Sequence, residues 1–280
     1  MAILPISARA LLVPLFLLLL PSLYQPTPTL PPPPPAVIPT APSAPSSKST
    51  PPATPPANPA TTPVVRKDDW WVARHNAMNA RIKQAAENGD AGILFIGDSI
   101  TQGWEGEGKP VWDEFYAKRN PINLGISGDR TQHVLYRLQN GNIEGLDNPA
   151  TGSSPKLAII MIGTNNVSDT PAAQTAEGIA AIVNHLRAKL PSTKILLLAI
   201  FPREQTPGKA RERNTQVNTI IKDLADNSSI FYMDIANQLL NSDGTISKDV
   251  MPDFVHLSED GYRRWAAAIE PKVVELLGTK

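Results

Sequence analysis

The chain contains no cysteine. That excludes a disulfide framework, a thiol nucleophile and a thiolate metal site. Histidine is nearly as scarce, with four in 280 residues, so chemistry that needs an imidazole has few places to reside. No His-Glu-x-x-His pattern or other ligand cluster occurs, and no metal or cofactor is expected. Charge is missing from one end: residues 1–65 carry only Arg9 and Lys48, leaving 24 Lys and Arg against 26 Asp and Glu, a net of −2, for the rest. A nucleic-acid surface needs a basic patch, so no nucleic-acid partner is expected. A long apolar run is also absent. Residues 10–20 are almost continuously apolar and follow Arg9, but a transmembrane helix needs roughly 20 such residues, and Pro14 interrupts this one. The segment matches the hydrophobic region of a secretory signal. No clear small-x-small cleavage pair follows Leu20, so residues 1–20 are a signal peptide or an uncleaved N-terminal anchor that tethers the protein to a membrane. Either places the protein in an exported compartment: periplasm, cell envelope or extracellular space.

Residues 21–65 hold 17 of the 29 prolines, among Ala, Ser and Thr. Proline lacks an N–H and fixes φ, so the tract builds neither helix nor sheet ladder. It is expected as an extended, disordered linker. From residue 66 to 280 the composition becomes globular and suits one domain. Helices are predicted over 68–87, where Trp71, Met78, Ile82 and Ala85 recur at helical spacing, and over 109–118, 131–139, 172–190, 211–225 and 261–277. Short apolar strands are predicted at 93–96, 122–124, 157–162, 195–200 and 230–233. Alternation of helices with apolar, unalternating strands predicts a parallel sheet covered on both faces. The expected fold is α/β: a three-layer α/β/α sandwich with five parallel strands.

The first strand stops at Gly97-Asp98-Ser99. In such a sheet, ligands bind at the carboxyl ends of the strands, so Ser99 is placed at the mouth of a crevice. Asp98 and Ser99 are also good helix N-caps, and this stretch alone does not separate the two readings. A serine nucleophile needs a base. His75, His133 and His185 fall within predicted helices, where a surface or packed histidine is the ordinary reading. His256 lies in a non-periodic segment before the last helix, with Asp253 three residues ahead. A tight turn at that spacing brings the carboxylate to Nδ1, fixing the tautomer and stabilising the imidazolium. Oxyanion donors come from the other strand ends: the N–H of Gly128 after the second strand, the amide of Asn165 after the third, and the N–H of Ser99 itself. Each such donor contributes about 3–4 kcal/mol to the transition state.

Gly97-Asp98-Ser99, Gly128, Gly163-Thr164-Asn165 and Asp253-x-x-His256 occur in the order found in the SGNH, or GDSL, hydrolase superfamily, which the chain resembles from about residue 90 to 277. The run from Asn123 to Leu138, with Gly163-Thr164-Asn165-Asn166, is similar to the catalytic subunits of platelet-activating-factor acetylhydrolase and their bacterial relatives. The resemblance implies a flavodoxin-like fold, Ser99 as nucleophile, His256 as base, Asp253 as its orienter, and Ser99, Gly128 and Asn165 as the oxyanion hole. It also admits a homodimer. The site departs from the Gly-x-Ser-x-Gly elbow, because residue 101 is threonine.

These readings lead to a metal-free serine esterase that removes short acyl groups, acetyl foremost. The expected substrate is a small acyl ester or an acetylated carbohydrate. The alternatives are a lysophospholipase or thioesterase on longer chains, and a catalytically silent carbohydrate-binding module. Arg130 and Arg203 follow strand-end loops, where each is a solvated or structurally paired arginine or a ligand for carboxylate, phosphate or sugar. Trp104 and Trp112 are candidates for an apolar or sugar-stacking wall, with core packing the ordinary reading for Trp112.

Overall fold

Five short apolar runs pair in parallel, in the order β2-β1-β3-β4-β5: β1 (Ile93–Gly97), β2 (Pro121–Gly125), β3 (Leu157–Met161), β4 (Lys194–Leu198) and β5 (Ile230–Met233). The register is continuous across the first three: Gly97 stands opposite both Gly125 and Met161, so the loops that follow start at one level. The computed structural model describes residues 57–278, apart from Pro149, Gly152 and Ser153. The chain divides into two units, Met1–Ala53 and Thr54–Lys280, and every described residue belongs to the second. The signal or anchor expected at 1–20, and the linker as far as residue 56, lie outside the described residues.

Successive side chains of a strand point to opposite faces, and β1 shows what that does here. Leu94 and Ile96 join one core with α1 (Asp69–Asn88), α4 (Thr131–Gln139), α5 (Ala172–Lys189) and α6 (Lys209–Ile221). Ile93 and Phe95 join the other, with α2 (Ser99–Gln102), α3 (Lys109–Phe115), α7 (Ala236–Leu239) and α8 (Glu259–Leu277). Both faces are covered, so β1 and β3 are buried throughout and show no polar alternation. The three-layer α/β/α sandwich expected from sequence is present. β5 differs in being only half-buried, because it is an edge strand.

The stretch assigned to the linker extends less far than residue 65. Asn58 Nδ2 donates to Gln174 O (3.0 Å), the buried Ala60 accepts at its carbonyl from Thr131 Oγ1 (3.0 Å), and Val64 N donates to Gln132 O (3.1 Å). Pro59 opens a single 3₁₀ turn, where its missing N–H has no partner to lose. The buried Ala60 then rests against α4 and α5, where a Cβ on Gly178 would lie 2.7 Å from its carbonyl oxygen.

Candidate active site

Gly97 ends β1 where nothing larger fits. A Cβ there would lie 2.1 Å from Thr101 Oγ1 and 2.4 Å from Met161 O. Asp98 then turns the chain: its Oδ1 accepts from Ile100 N at 3.0 Å and caps α2, whose first residue is Ser99. The helix-cap reading of this stretch is met by Asp98. Asp98 starts the helix, and Ser99 stands at the strand end, half-buried. Asp98 itself is fully buried, its Oδ2 has no protein partner, and burial pushes its carboxyl up to about 7.

Ser99 Oγ lies 2.8 Å from His256 Nε2, and His256 Nδ1 lies 2.7 Å from Asp253 Oδ2. The second carboxylate oxygen builds the turn: Asp253 Oδ1 accepts from His256 N (2.7 Å) and Val255 N (3.0 Å). One aspartate thus folds the loop and orients the ring that the loop carries. With Nδ1–H donating to Oδ2, Nε2 is left to accept from the serine hydroxyl. Burial raises the Asp253 pKa, but the hydrogen bonds from the His256 ring and the two N–H groups outweigh it and hold the carboxyl below its usual range. Between these residues Phe254 has φ +61°, a conformation that costs a non-glycine residue about 1 kcal/mol. Its carbonyl accepts from Glu204 N (3.0 Å), and Glu204 has φ +66°. Two strained residues, one on each loop, clamp the loop after β4 to the triad loop. On the other side, Ser258 caps α8 and Tyr262 Oη donates to Ile100 O at 2.7 Å, joining α8 to α2.

The loop after β2 carries Gly128 at φ +73°, readily adopted only by glycine. Among the described residues, no turn or loop hydrogen bond uses its N–H. The N–H of Ser99, in the first turn of α2, is likewise one of the donors a helix leaves unpaired. Asn165 Nδ2 donates to Asp129 O at 2.9 Å; an amide has two N–H groups, so one stays available. This bond ties the loop after β3 to the loop bearing Gly128.

What fixes the Gly128 loop escaped the sequence reading. Asp129 is fully buried; it accepts from Trp71 Nε1 (2.7 Å) and from the equally buried Arg137 Nε (2.8 Å). Arg137 also donates to Asn142 Oδ1 (2.6 Å) and Gly97 O (3.2 Å). One guanidinium therefore links the end of β1 to the turn after β2. Arg66 covers that turn from outside, donating to Ser127 O at 2.7 Å. An acid and an arginine eight residues apart, flanking a glycine turn, were the available signal.

Arg130 is structurally paired: its Nη1 lies 2.9 Å from both oxygens of Asp169. Arg203 Nη1 donates to Thr164 O (3.1 Å) and Oγ1 (3.2 Å) and so braces the Gly163-Thr164-Asn165 turn. The wall role considered for Trp104 is corrected: it is fully buried, 4.5 Å from the Tyr262 ring and 4.9 Å from Trp265, because α8 packs over it. Trp112 is half-buried, 4.8 Å from Phe95. The remaining histidines are engaged in packing. His75 is buried, stacked on Trp71; His133 Nδ1 accepts from Arg130 N and caps α4; His185 has a buried Nε2. Burial lowers the pKa of all three.

Residues 95–264 match the GDSL-like lipase/acylhydrolase family. The chain belongs to that family. This GDSL acylhydrolase is 33% identical over 214 residues to platelet-activating factor acetylhydrolase IB subunit alpha2 of Rattus norvegicus, covering 76% of this chain and 87% of that protein. It is 35% identical over 219 residues to the alpha1 subunit of Homo sapiens, covering 77% and 89%. Solved structures share the fold. A GDSL-like lipase from Bacteroides thetaiotaomicron superposes with TM-score 0.57 at 22% identity, over 72% of this chain and 97% of that one. A carbohydrate acetylesterase from Sinorhizobium meliloti does so with TM-score 0.52 at 20% identity, over 66% and 99%. The GDSL chain is thus an ester hydrolase, and the Ser99–His256–Asp253 relay lies within the matched region.

Proposed function

We propose that the protein is a serine esterase that removes short acyl groups, acetyl foremost, through an acyl-serine intermediate. The observation that carries this is the continuous relay from Ser99 Oγ through His256 to Asp253, at 2.8 and 2.7 Å. Ser99 Oγ attacks the ester carbonyl carbon as its proton passes to His256 Nε2. Charge gathers on the carbonyl oxygen, which accepts hydrogen bonds from Ser99 N–H, Gly128 N–H and the free amide hydrogen of Asn165. Collapse breaks the bond to the alcohol oxygen, which takes the proton from Nε2 and leaves. Water then gives a proton to Nε2, attacks the acyl-serine, and releases the acid as the proton returns to Ser99. Asp253 keeps its charge throughout and stabilises the imidazolium.

The acetyl preference is supported by the acetylhydrolase names of the curated relatives. Acetylated carbohydrate as the natural substrate, export and an N-terminal membrane tether rest on the composition of residues 1–65. The test is hydrolysis of nitrophenyl esters by the full chain beside Ser99→Ala and His256→Ala. The acetate is expected to be cleaved fastest, and each substitution to lower kcat by at least about 10³. Activity that survives either change would refute the assigned roles. A maximum at eight carbons or more would refute the short-acyl reading.

A further inference from the structure

The loops after β3 and β4, with the start of α6, line a cavity of about 530 Å3 that includes Asn165. Asn165 and Ser168 line one wall; Arg203, Glu204, Lys209 and Arg213 line the other. Three cations therefore face one carboxylate, and that carboxylate is engaged: Glu204 Oε2 accepts from Arg211 N at 3.1 Å, in the first turn of α6. Among the described residues the Arg203 side chain bonds only to Thr164, its carbonyl accepting from Arg211 Nε at 2.8 Å, and Arg213 Nη1 donates to Thr170 O at 2.7 Å. Among the described residues, none of the three cations forms an ion pair, whereas the neighbouring Arg130 is paired with Asp169. Arg203 also keeps a buried Nε with no partner. Cations left without counter-charges around a cavity favour a ligand that brings one, and guanidinium groups match planar carboxylate and phosphate oxygens.

The position says which part of an ester would bring the charge. One wall carries Asn165. The other is tied to the triad loop by the Glu204 N to Phe254 O bond, two residues before His256. The alcohol oxygen of the substrate has to face His256 Nε2 to be protonated as it leaves, so the alcohol side of the ester extends toward the wall joined to that loop.

We propose that this cavity is a subsite for an anionic group, carboxylate or phosphate, on the alcohol side of the substrate. The inference rests on the esterase reading above. The test compares kcat/KM of the full chain for phenyl acetate, 4-acetoxybenzoate and 4-acetoxyphenyl phosphate. Both anionic esters, or one of them, are expected to be preferred roughly tenfold, the scale of one charge-assisted hydrogen bond. Which one is preferred tells carboxylate from phosphate. In Lys209→Gln/Arg213→Gln the anionic-to-neutral ratio is expected to fall about tenfold, while Lys209→Arg retains it. As a measurement free of substitutions, 4-hydroxybenzoate or inorganic phosphate should compete with phenyl acetate where phenol does not. Ser99-dependent cleavage of phenyl acetate with no anionic preference, or with a ratio the double variant leaves unchanged, overturns the subsite alone. Preference for monophenyl succinate over phenyl acetate, with no preference for either anionic phenyl ester, moves the charge to the acyl side and overturns the placement. No cleavage of any of these esters overturns the esterase reading and this inference with it.

Discussion

Asp129→Ala tests whether the buried pair behind the Gly128 loop holds the site together. Asp129 and Arg137 are both fully buried. Burial lowers the Arg137 pKa, and the Asp129 charge works against that lowering. Removing the carboxylate leaves the buried guanidinium with no bonded counter-charge, a change that costs about 3–5 kcal/mol. It also strips the acceptor from Trp71 Nε1, worth about 1–3 kcal/mol by itself. The two losses share a site and do not add fully, so about 4 kcal/mol is expected. Against a typical total of about 5–15 kcal/mol, that lowers the urea midpoint sharply and Tm by roughly 8–16 °C for a domain of this size. Arg137→Met in the same chain removes the stranded charge, so the double variant should be more stable than Asp129→Ala alone. The assay is urea unfolding followed by circular dichroism, with esterase activity read on the folded fraction. A single variant within about 1 kcal/mol of wild type would refute the reasoning, as would a double variant less stable than the single one.

Other expectations follow from the same geometry. Asp253→Asn keeps an oxygen for the turn but offers an N–H to Nδ1; kcat should fall on the order of 10³–10⁴ with stability nearly kept, and a loss under tenfold would contradict the orienting role. Asp98 has its folded-state pKa raised from 3.8 to about 7, so the folded state holds the proton more tightly than the unfolded one. This group's contribution to stability is therefore greatest below about pH 4 and declines as pH rises toward 7, by about 4 kcal/mol as an upper bound. Asp98→Asn, which retains the cap on Ile100 N, should remove that decline, and urea midpoints of both proteins from pH 4 to 8 check it. Gly128→Ala forces a side chain into φ +73° with its Cβ 3.1 Å from Arg66 Nη1. It should cost about 1 kcal/mol in stability and, by shifting one oxyanion donor, on the order of 10² in kcat, measured by urea unfolding and nitrophenyl acetate turnover. A chain that begins at residue 66 loses the bonds of Asn58, Ala60 and Val64, so its Tm should drop by roughly 2–6 °C.

Much of the site was legible because its parts are local. Strand ends are marked by glycine, and the parallel sheet brings successive strand ends to one edge, so Gly97, Gly128 and Gly163 could be placed together without knowing any contact. Asp253 and His256 share one turn, and a turn is a short-range object. What the sequence did not disclose is long-range or edge-dependent. The Arg137 guanidinium reaches Gly97 across 40 residues, and Glu204 N meets Phe254 O across 50; no periodicity records such pairs. Trp104 reads as a wall in sequence because it follows the Gly97-Asp98-Ser99 loop, but α8, more than 150 residues later, packs over it. Residues 57–65 read as linker because proline count describes backbone chemistry, whereas docking depends on the long-range bonds of Asn58, Ala60 and Val64 to α4 and α5.

The two groups of residues also differ in what they do. Those readable from sequence carry the proposed reaction: Ser99, His256, Asp253 and the three oxyanion donors. Those visible only in three dimensions hold the first group in register: Asp129 and Arg137 under the Gly128 loop, Arg203 under the Asn165 turn, and Glu204 against Phe254 in the triad loop. The chemistry needs a proton relay near 2.8 Å and donors on a single carbonyl oxygen, and flexible loops alone do not hold groups to that tolerance. A buried ion pair, a backbone clamp between two strained residues and an arginine brace act on different loops, and each strand-end loop bearing a triad or oxyanion group after β1 is fixed by at least one of them. Loss of a brace should therefore lower kcat while leaving the triad residues intact, whereas loss of Ser99 Oγ or the His256 ring should lower kcat while leaving stability nearly intact; Asp253, whose Oδ1 also builds its turn, belongs to both groups. That opposition separates structural from chemical roles at this site.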